Sequence, residues 1–285
     1  MKASAHASRS YVTSTLLVLI VLLPLLSGLM TSLSPDGRDA LVSWWARPSG
    51  WSLLWRSLVF AAAGATVALL AGWTVALALA TRSLVARVVL VACCLPLLVP
   101  SSLMGVGWIM AMGRDAVVTN ALRAVFGDAV PTIYAWPLAA GATGLRYFGV
   151  AALVIAMARR DGQTSRAAER AFSMPWSSRA QLRIGATLVP ALVAWLLLLL
   201  LVQSDHILPG MFLVHTFGTE VLIQFNALMD PAGAAALALV PTLIALVVVL
   251  LCGGLLRRGA ARWEDREGAV RLRSPQASDL MTAAT

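Results

Sequence analysis

The stretch Arg159–Pro190, RRDGQTSRAAERAFSMPWSSRAQLRIGATLVP, is a polar interruption between long apolar runs, and the rest of the chain is organised around it. Only two acids, Asp161 and Glu169, accompany six arginines in this stretch. The arginines are Arg159, Arg160, Arg166, Arg170, Arg179 and Arg183. The alanines within Ser165–Phe172 favour a short helix, and Pro175 predicts where it ends because proline breaks a helix. We therefore expect a basic, partly helical loop that docks onto a separate protein.

The composition predicts an all-α, polytopic membrane protein. Of the 285 residues, 59% are hydrophobic and 12% are charged, and the mean hydropathy is +0.82. A soluble domain usually has about 25% charged residues. The formal net charge of +9 does not indicate a nucleic-acid partner, because the arginines flank apolar runs, where they set the orientation in the membrane. Membrane lipid is the expected surrounding.

Six apolar runs predict six transmembrane helices, each of which needs about 20 residues. The runs cover residues 11–33, 57–80, 88–112, 131–158, 186–202 and 232–256. No clear small-residue cleavage site ends the first run, so we expect an uncleaved anchor. The predicted organisation is a cytoplasmic tail over 1–10, a transmembrane domain over 11–256 with a loop at 159–185, and a cytoplasmic tail over 257–285.

The distribution of basic residues predicts the orientation of these helices. If both termini lie in the cytoplasm, 16 of the Lys and Arg residues lie inside, 5 lie outside, and Arg146 lies within the membrane. Basic residues accumulate on the cytoplasmic side of membrane proteins. The loop at 159–185 is therefore predicted to face the cytoplasm.

Two of the apolar runs carry patterns that predict close helix packing. The second run has a small residue at every fourth position, which lets another helix approach closely. These residues are Gly64, Ala68, Gly72, Ala76 and Ala80. In the third run, Pro96 and Pro100 free backbone carbonyls, which the bilayer tolerates only against protein or a water-lined cavity. We expect the third run to lie in the centre of the helix bundle.

Three polar residues are candidates for a substrate pathway. Arg146 lies near the middle of the fourth run, where a charge costs about 2.5–3.5 kcal/mol. It either has a structural role, in an ion pair or as a cap on backbone carbonyls, or lines a pathway and meets an anionic substrate. Gln203 and Asp205 follow the fifth run. They belong either to an ordinary solvated helix end or to a vestibule that contacts the substrate.

The sequence contains no recognisable catalytic, metal-binding or phosphate-binding pattern. The histidines are in the N-terminal tail and the predicted outer segment, and the cysteines lie inside apolar runs as expected for small core residues. These residues are His6, His206, His215, Cys93, Cys94 and Cys252. We expect no enzyme activity, cofactor or metal, and any ATP-driven transport would need an ATPase on another chain.

The loop resembles the coupling segment of the permease subunits of binding-protein-dependent ABC importers. In that family an EAA-xxx-G motif docks onto the ATPase subunit. Here Ala167-Ala168-Glu169 stands where Glu-Ala-Ala would stand, and Ser173 stands in place of the glycine. The resemblance implies that five residues couple the chain to the ATPase. These are Ala167, Ala168, Glu169, Arg170 and Ser173.

Other stretches are similar to the same family. The proline pair of Leu95–Pro100 resembles the pair in its central span, and Leu145–Phe148 resembles the segment that leads to the loop. Asp205–Pro209 and Asp230–Ala235 resemble the outer segment and final span of the ferric-iron, thiamine and polyamine branch. The displaced acid and missing glycine in the loop suggest one half of a heteromeric permease pair.

The resemblance implies a type I ABC importer permease-like fold in the bacterial inner membrane. Its implied partners are ATP-binding cassette ATPase subunits, a second permease subunit and an external solute-binding protein. A stand-alone secondary transporter is the alternative, although it would predict an internal repeat and paired intramembrane charges. A membrane-embedded enzyme would need clustered His, Asp or Glu at one membrane face. The sequence leaves the cargo open among iron, thiamine, polyamine, phosphonate and sulfate-type solutes.

Overall fold

A computed structural model describes residues 23, 26–78, 84–113, 116–127, 130–171 and 176–273. For residues 87, 117, 126, 130–135, 158–171, 176–187 and 258–273 it describes the backbone alone. All regular secondary structure among the described residues is helical. Together with the apolar helices below, this confirms the prediction of an all-α membrane protein.

The helices are numbered here in chain order. They are α1 Pro35–Trp45, α2 Pro48–Ala78, α3 Leu84–Ala92, α4 Leu95–Leu98, α5 Ser101–Met112, α6 Val117–Phe126, α7 Val130–Ala171, α8 Trp176–Ser204, α9 Ile207–Met211, α10 Phe217–Leu222, a π-helical turn Ile223–Ala227, and α11 Pro231–Arg273.

Three helices in the described part of the chain are long and apolar enough to cross a membrane. They contain the segments Pro48–Ala76, Trp136–Met157 and Pro231–Arg257. The broken pair Leu84–Leu98 and Ser101–Met112 makes a fourth if it counts as one span. The apolar part of α8, Leu188–Ser204, is shorter, and most of the first predicted run lies outside the described residues. The count of six spans stays a prediction.

Three helices extend beyond the apolar runs that predicted them. Helix α2 begins at Pro48, where proline suits the first turn, rather than at residue 57. Helix α7 continues to Ala171 and α11 continues to Arg273. The expected separate short helix over residues 165–172 is therefore absent, because 159–171 prolong α7. The stretch contains no proline and is rich in Ala, Arg, Gln and Glu, which sustain a helix in water as well as in lipid.

The chain divides into two compact units. The first unit takes the described residues within 1–63, 100–143 and 203–245. The second unit takes those within 64–99, 144–202 and 246–285.

In the second unit, α2 and α7 approach closely through small residues. Gly64, Ala68, Gly72 and Ala76 are all buried, as a packing seam requires. A Cβ atom added at Gly72 would lie 2.6 Å from the Phe148 carbonyl oxygen and 2.7 Å from the Ala152 nitrogen. We call this contact the α2–α7 seam; it agrees with the expected role of the stripe in the second apolar run.

The break in the third apolar run also packs against α7. Helix α3 ends at Ala92, and the chain turns at Cys93 and Cys94 before α4 begins with Pro96 in its first turn. The Cys93 carbonyl lies so close to Gly149 that a side chain at Gly149 would clash with it. The break is therefore packed against protein at Cys93, whereas Leu95 and Leu98 are exposed. The expected position of the third run in the centre of the helix bundle stays a prediction.

The core of the first unit is built around aromatic side chains. Phe60 and Phe217 are almost completely buried. Phe60 lies edge-on to Trp136 at 5.7 Å between ring centres, and Phe217 lies edge-on to Trp44 at 5.2 Å. Such contacts add about 0.5–1.5 kcal/mol beyond the area that they bury. The Phe217–Trp44 pair anchors α10 against α1, and the Phe60–Trp136 pair anchors α2 against α7.

Candidate functional site

Arg146 lies on α7, midway along the candidate span Trp136–Met157. This placement agrees with the prediction of a charge in the middle of the fourth apolar run. Its side chain is half-buried, and its Nε and Nη1 atoms are excluded from solvent. The guanidinium carbon lies 5.7 Å from the centre of the Tyr147 ring, within the range of a cation–π contact.

Helix α7 is closely packed on either side of Arg146. Gly144 lies against the backbone of Gly64 in α2, and Gly149 lies against Cys93 at the break between α3 and α4. Sliding or rotating α7 would bring side chains into these backbones. Arg146 therefore lies on a closely packed part of α7, which suits both a structural role and the presentation of a positive charge. Both roles stay predictions.

Asp205 follows the last residue of α8 and is only 7% exposed. Its Oδ1 atom accepts a hydrogen bond of 3.2 Å from the Leu208 backbone N–H, and its Oδ2 atom accepts one of 3.5 Å from the Ser101 hydroxyl. A buried carboxylate is costly unless it is hydrogen-bonded. Asp205 is therefore no ordinary solvated helix end: it connects the start of α9 to the start of α5.

Gln203, two residues earlier, is half-buried near the end of α8. Among the described residues its Oε1 atom has no hydrogen-bond partner, although the atom is excluded from solvent. An amide oxygen in that state costs about 1–3 kcal/mol. Contact of Gln203 and Asp205 with a substrate stays a prediction.

Two serines that hold this region together were not predicted from the sequence. Ser101, the partner of Asp205, is the first residue of α5. The Ser57 hydroxyl donates to the Leu53 carbonyl at 2.8 Å and accepts from the buried Phe217 N–H at 2.7 Å. The position of Ser101 directly after Pro100 was a usable signal for a helix start. Nothing in the sequence pairs Ser57 with a residue 160 positions away.

An acid near the start of α10 has two polar partners. The Glu220 carboxylate lies 3.0 Å from His215 Nε2 and accepts a 3.0 Å hydrogen bond from the Gln224 amide. His215 is about half exposed, whereas Glu220 is mostly covered. Together with the Thr216 and Thr219 capping box, these contacts fix the fold of residues 215–224.

The residues predicted to couple the chain to an ATPase lie at or beyond the end of α7. Ala167, Ala168, Glu169 and Arg170 belong to the last turns of that helix. Ser173 lies outside the described residues. Their part in coupling stays a prediction.

Among the described residues, no group of three or more His, Cys, Asp or Glu side chains could hold a metal ion. The described cysteines, Cys93, Cys94 and Cys252, are free.

The fold is that of a helical membrane protein, and the comparisons with solved structures define it more closely. One similar chain comes from a bacterial alginate ABC transporter in complex with an alginate pentasaccharide-bound periplasmic protein. The TM-score is 0.69 at 14% identity, over 90% of this chain and 96% of that one. A second comes from a bacterial ABC transporter involved in the import of the acidic polysaccharide alginate. Its TM-score is 0.61 at 13% identity, over 90% of this chain and 99% of that one.

No protein-family model matches the chain, and no curated protein matches it by sequence. At 13–14% identity the structural likeness establishes the fold. Nearly the whole of both chains is covered, so the similarity is not confined to a shared helix pair.

Proposed function

We propose that the chain is a permease subunit of an ATP-driven solute importer. The observation that carries this proposal is the near full-length similarity to chains of alginate ABC transporters, at TM-scores of 0.69 and 0.61. The apolar helices support a membrane-spanning subunit rather than an ATPase subunit. The chain would form half of a translocation pathway in the bacterial inner membrane, and a second, different permease subunit would form the other half.

Coupling to a separate ATPase is proposed for the 165–178 segment. A helix such as α7, which continues past the apolar span Trp136–Met157 to Ala171, can carry a movement at its far end into the membrane. The closely packed α2–α7 seam supports this role, because force applied to the end of a closely packed helix shifts its neighbours as well. Ala167, Ala168, Glu169, Arg170 and Ser173 are the proposed contacts.

Alternating access requires a contact that differs between two states of the permease. Arg146, Gln203 and Asp205 are the proposed pathway residues, and the central position of Arg146 favours cargo that carries negative charge. One of the structurally similar chains comes from a transporter involved in the import of an acidic polysaccharide. The sequence likeness to the ferric-iron, thiamine and polyamine branch rests on the outer segment, so the cargo should be identified by uptake measurements on a panel of solutes.

Co-purification tests the proposal. The full chain, expressed with its neighbouring genes, should retain ATPase subunits through solubilisation. The double substitution Glu169→Ala and Arg170→Ala should reduce the retained ATPase at least about tenfold, since the loss of even one hydrogen bond to a charged group costs about 1.5–3 kcal/mol and about 1.4 kcal/mol corresponds to a factor of ten. A matched control is Glu264→Ala with Arg266→Ala, which removes the same charges from the distal part of α11.

Two results would contradict the proposal. One is wild-type ATPase retention in the Glu169 and Arg170 double variant together with a loss in the control, which would move the contact to α11. The other is transport by the chain alone, driven by an ion gradient, which would support a secondary transporter.

A further inference from the structure

The segment between α10 and α11 exposes a group of large apolar side chains. They are Leu222, Ile223, Phe225, Leu228 and Met229, and they are between 38% and 79% exposed. We call this group the 222–229 patch. Contiguous exposed apolar groups of this kind mark surfaces that bind a protein or a membrane. The patch has no part in the proposed ATPase coupling or in the proposed pathway.

Several polar groups of this segment are hydrogen-bonded within it, whereas the Asn226 side chain is exposed. The π-helical turn places the Leu228 N–H on the Ile223 carbonyl at 3.0 Å, and the Asp230 N–H bonds to the Gln224 carbonyl at 3.0 Å. The Gln224 side chain turns back to Glu220. Residues 221–229, VLIQFNALM, contain no charge. The segment thus presents apolar side chains while these backbone groups are satisfied internally.

The length of the next helix places the patch at the level of the lipid headgroups. The span Pro231–Arg257 has 27 residues. At about 1.5 Å per residue it is about 40 Å long, compared with about 30 Å for the hydrocarbon core and about 40–45 Å with the headgroup layers. Its Pro231 end therefore reaches the headgroup layer. Met229, two residues earlier, lies within about 7 Å of that end.

Asp230 marks the polar boundary of the patch. Its Oδ1 atom accepts a hydrogen bond of 2.9 Å from the Gly233 N–H and so caps the first turn of α11. The Asp230 carboxylate thus caps the start of α11, and the uncharged residues 221–229 directly precede it in the chain. An apolar face beside a helix end at this level is what an interfacial membrane segment presents, with its apolar side buried about 5–10 Å into the headgroup boundary.

We propose that the 222–229 patch inserts into the interfacial layer of the lipid bilayer and anchors the segment between α10 and α11 to the membrane surface. This inference requires a membrane protein and holds whether or not the chain is an importer. A second permease chain or a solute-binding protein is the competing occupant. The absence of charge over nine residues and the direct continuity with a span both favour lipid.

Collision-accessibility measurements on spin labels distinguish these occupants. Single cysteines replace Phe225 or Met229 in a chain that carries Cys93→Ala, Cys94→Ala and Cys252→Ala, reconstituted in liposomes. Asp39→Cys is the control, because Asp39 is exposed on α1 and its native charge requires water. We expect labels at 225 and 229 to collide several-fold more often with oxygen than with a water-soluble nickel complex, and the label at 39 to show the reverse.

Two outcomes overturn the proposal. High nickel accessibility at 225 and 229 would place the patch in water, and low accessibility to both reagents would show that protein covers it. If the cysteine-free chain does not fold, benzoylphenylalanine at Phe225 in the otherwise native chain replaces the spin label. Mass spectrometry should then find lipid adducts after illumination, whereas adducts to protein alone would contradict lipid insertion.

Discussion

The α2–α7 seam and the segment around α9 and α10 are held together by different forces. In the seam, glycine and alanine bring backbones into contact. Around α9 and α10, single polar side chains bond to distant backbone or hydroxyl groups, as Ser57 does to Phe217 and Asp205 to Ser101. Dispersion and close fit dominate the first region, and hydrogen bonds dominate the second. Added side-chain volume should therefore destabilise the seam, and the loss of hydrogen-bond acceptors should destabilise the segment around α9 and α10.

The largest expected effect is at the seam. Gly72→Val would place a branched side chain against Phe148 and Ala152, whose backbone atoms cannot move aside. Overpacking of a core costs about 1–3 kcal/mol of stability, and we expect a clash with backbone atoms to cost at least about 3 kcal/mol. We expect little folded protein in the membrane, measured by the monodisperse yield after solubilisation.

Gly141→Ala is the control for this variant, because no atom lies within 4 Å of the added methyl group and the residue is also on a long helix. Alanine replaces glycine in a helix with a gain of up to about 1 kcal/mol. Similar yields for Gly72→Val and Gly141→Ala would show that the seam is looser than described.

The second effect concerns Asp205. Asp205→Ala removes two hydrogen bonds and leaves the Leu208 N–H without this acceptor, which should cost about 2–3 kcal/mol. Asp205→Asn keeps an acceptor and should cost about half as much. Thermal unfolding in detergent measures both. An unchanged midpoint for Asp205→Ala, combined with a changed substrate affinity, would give Asp205 a pathway role instead of a structural one.

The third effect concerns Ser57. Ser57→Ala leaves the buried Phe217 N–H without its acceptor, at an expected cost of about 2 kcal/mol. Ser43→Ala is the control, because the Ser43 hydroxyl bonds locally to Ala40 on an exposed face and should change stability by less than about 0.5 kcal/mol. Equal unfolding temperatures for the two variants would show that the Ser57–Phe217 hydrogen bond does not stabilise the segment around α9 and α10, and would contradict the contrast with the α2–α7 seam.

The smallest effect concerns Arg146, which lies on α7 beside the α2–α7 seam. If the residue lines the pathway, Arg146→Ala should reduce uptake of an anionic cargo about tenfold, which corresponds to about 1.4 kcal/mol, and Arg146→Lys should retain part of the activity. Uptake and unfolding temperature are measured on the same preparations. Normal uptake with a lowered unfolding temperature would assign Arg146 a structural role.

The sequence predicted the features that depend on local pattern. The all-helical membrane class followed from hydropathy, and the seam followed from small residues at every fourth position. The charge at the centre of a span was visible as Arg146 inside an apolar run. Each of these needs only neighbouring residues in the chain, which one sequence supplies.

The features that depend on distant contacts or on helix continuation were missed or misplaced. Helix α7 continues to Ala171. Hydropathy marks only the end of the apolar run, whereas the helix-forming residues after that run prolong the helix. The Ser57–Phe217 bond joins residues 160 positions apart, and no local pattern encodes such a partner. The sequence left Asp205 open between a solvated helix end and a vestibule residue, because its burial and its hydrogen bond from Ser101, 104 residues away, depend on the fold.

Transport in proteoliposomes tests the central proposal most directly. The chain is reconstituted with its co-expressed partners, and uptake of the identified cargo is followed with ATP inside the vesicles or with an ion gradient alone. We predict uptake that requires ATP and the ATPase subunits, and that falls about tenfold in the Glu169→Ala and Arg170→Ala variant because a charged contact is lost. Full uptake on an ion gradient without ATPase subunits would contradict the proposal.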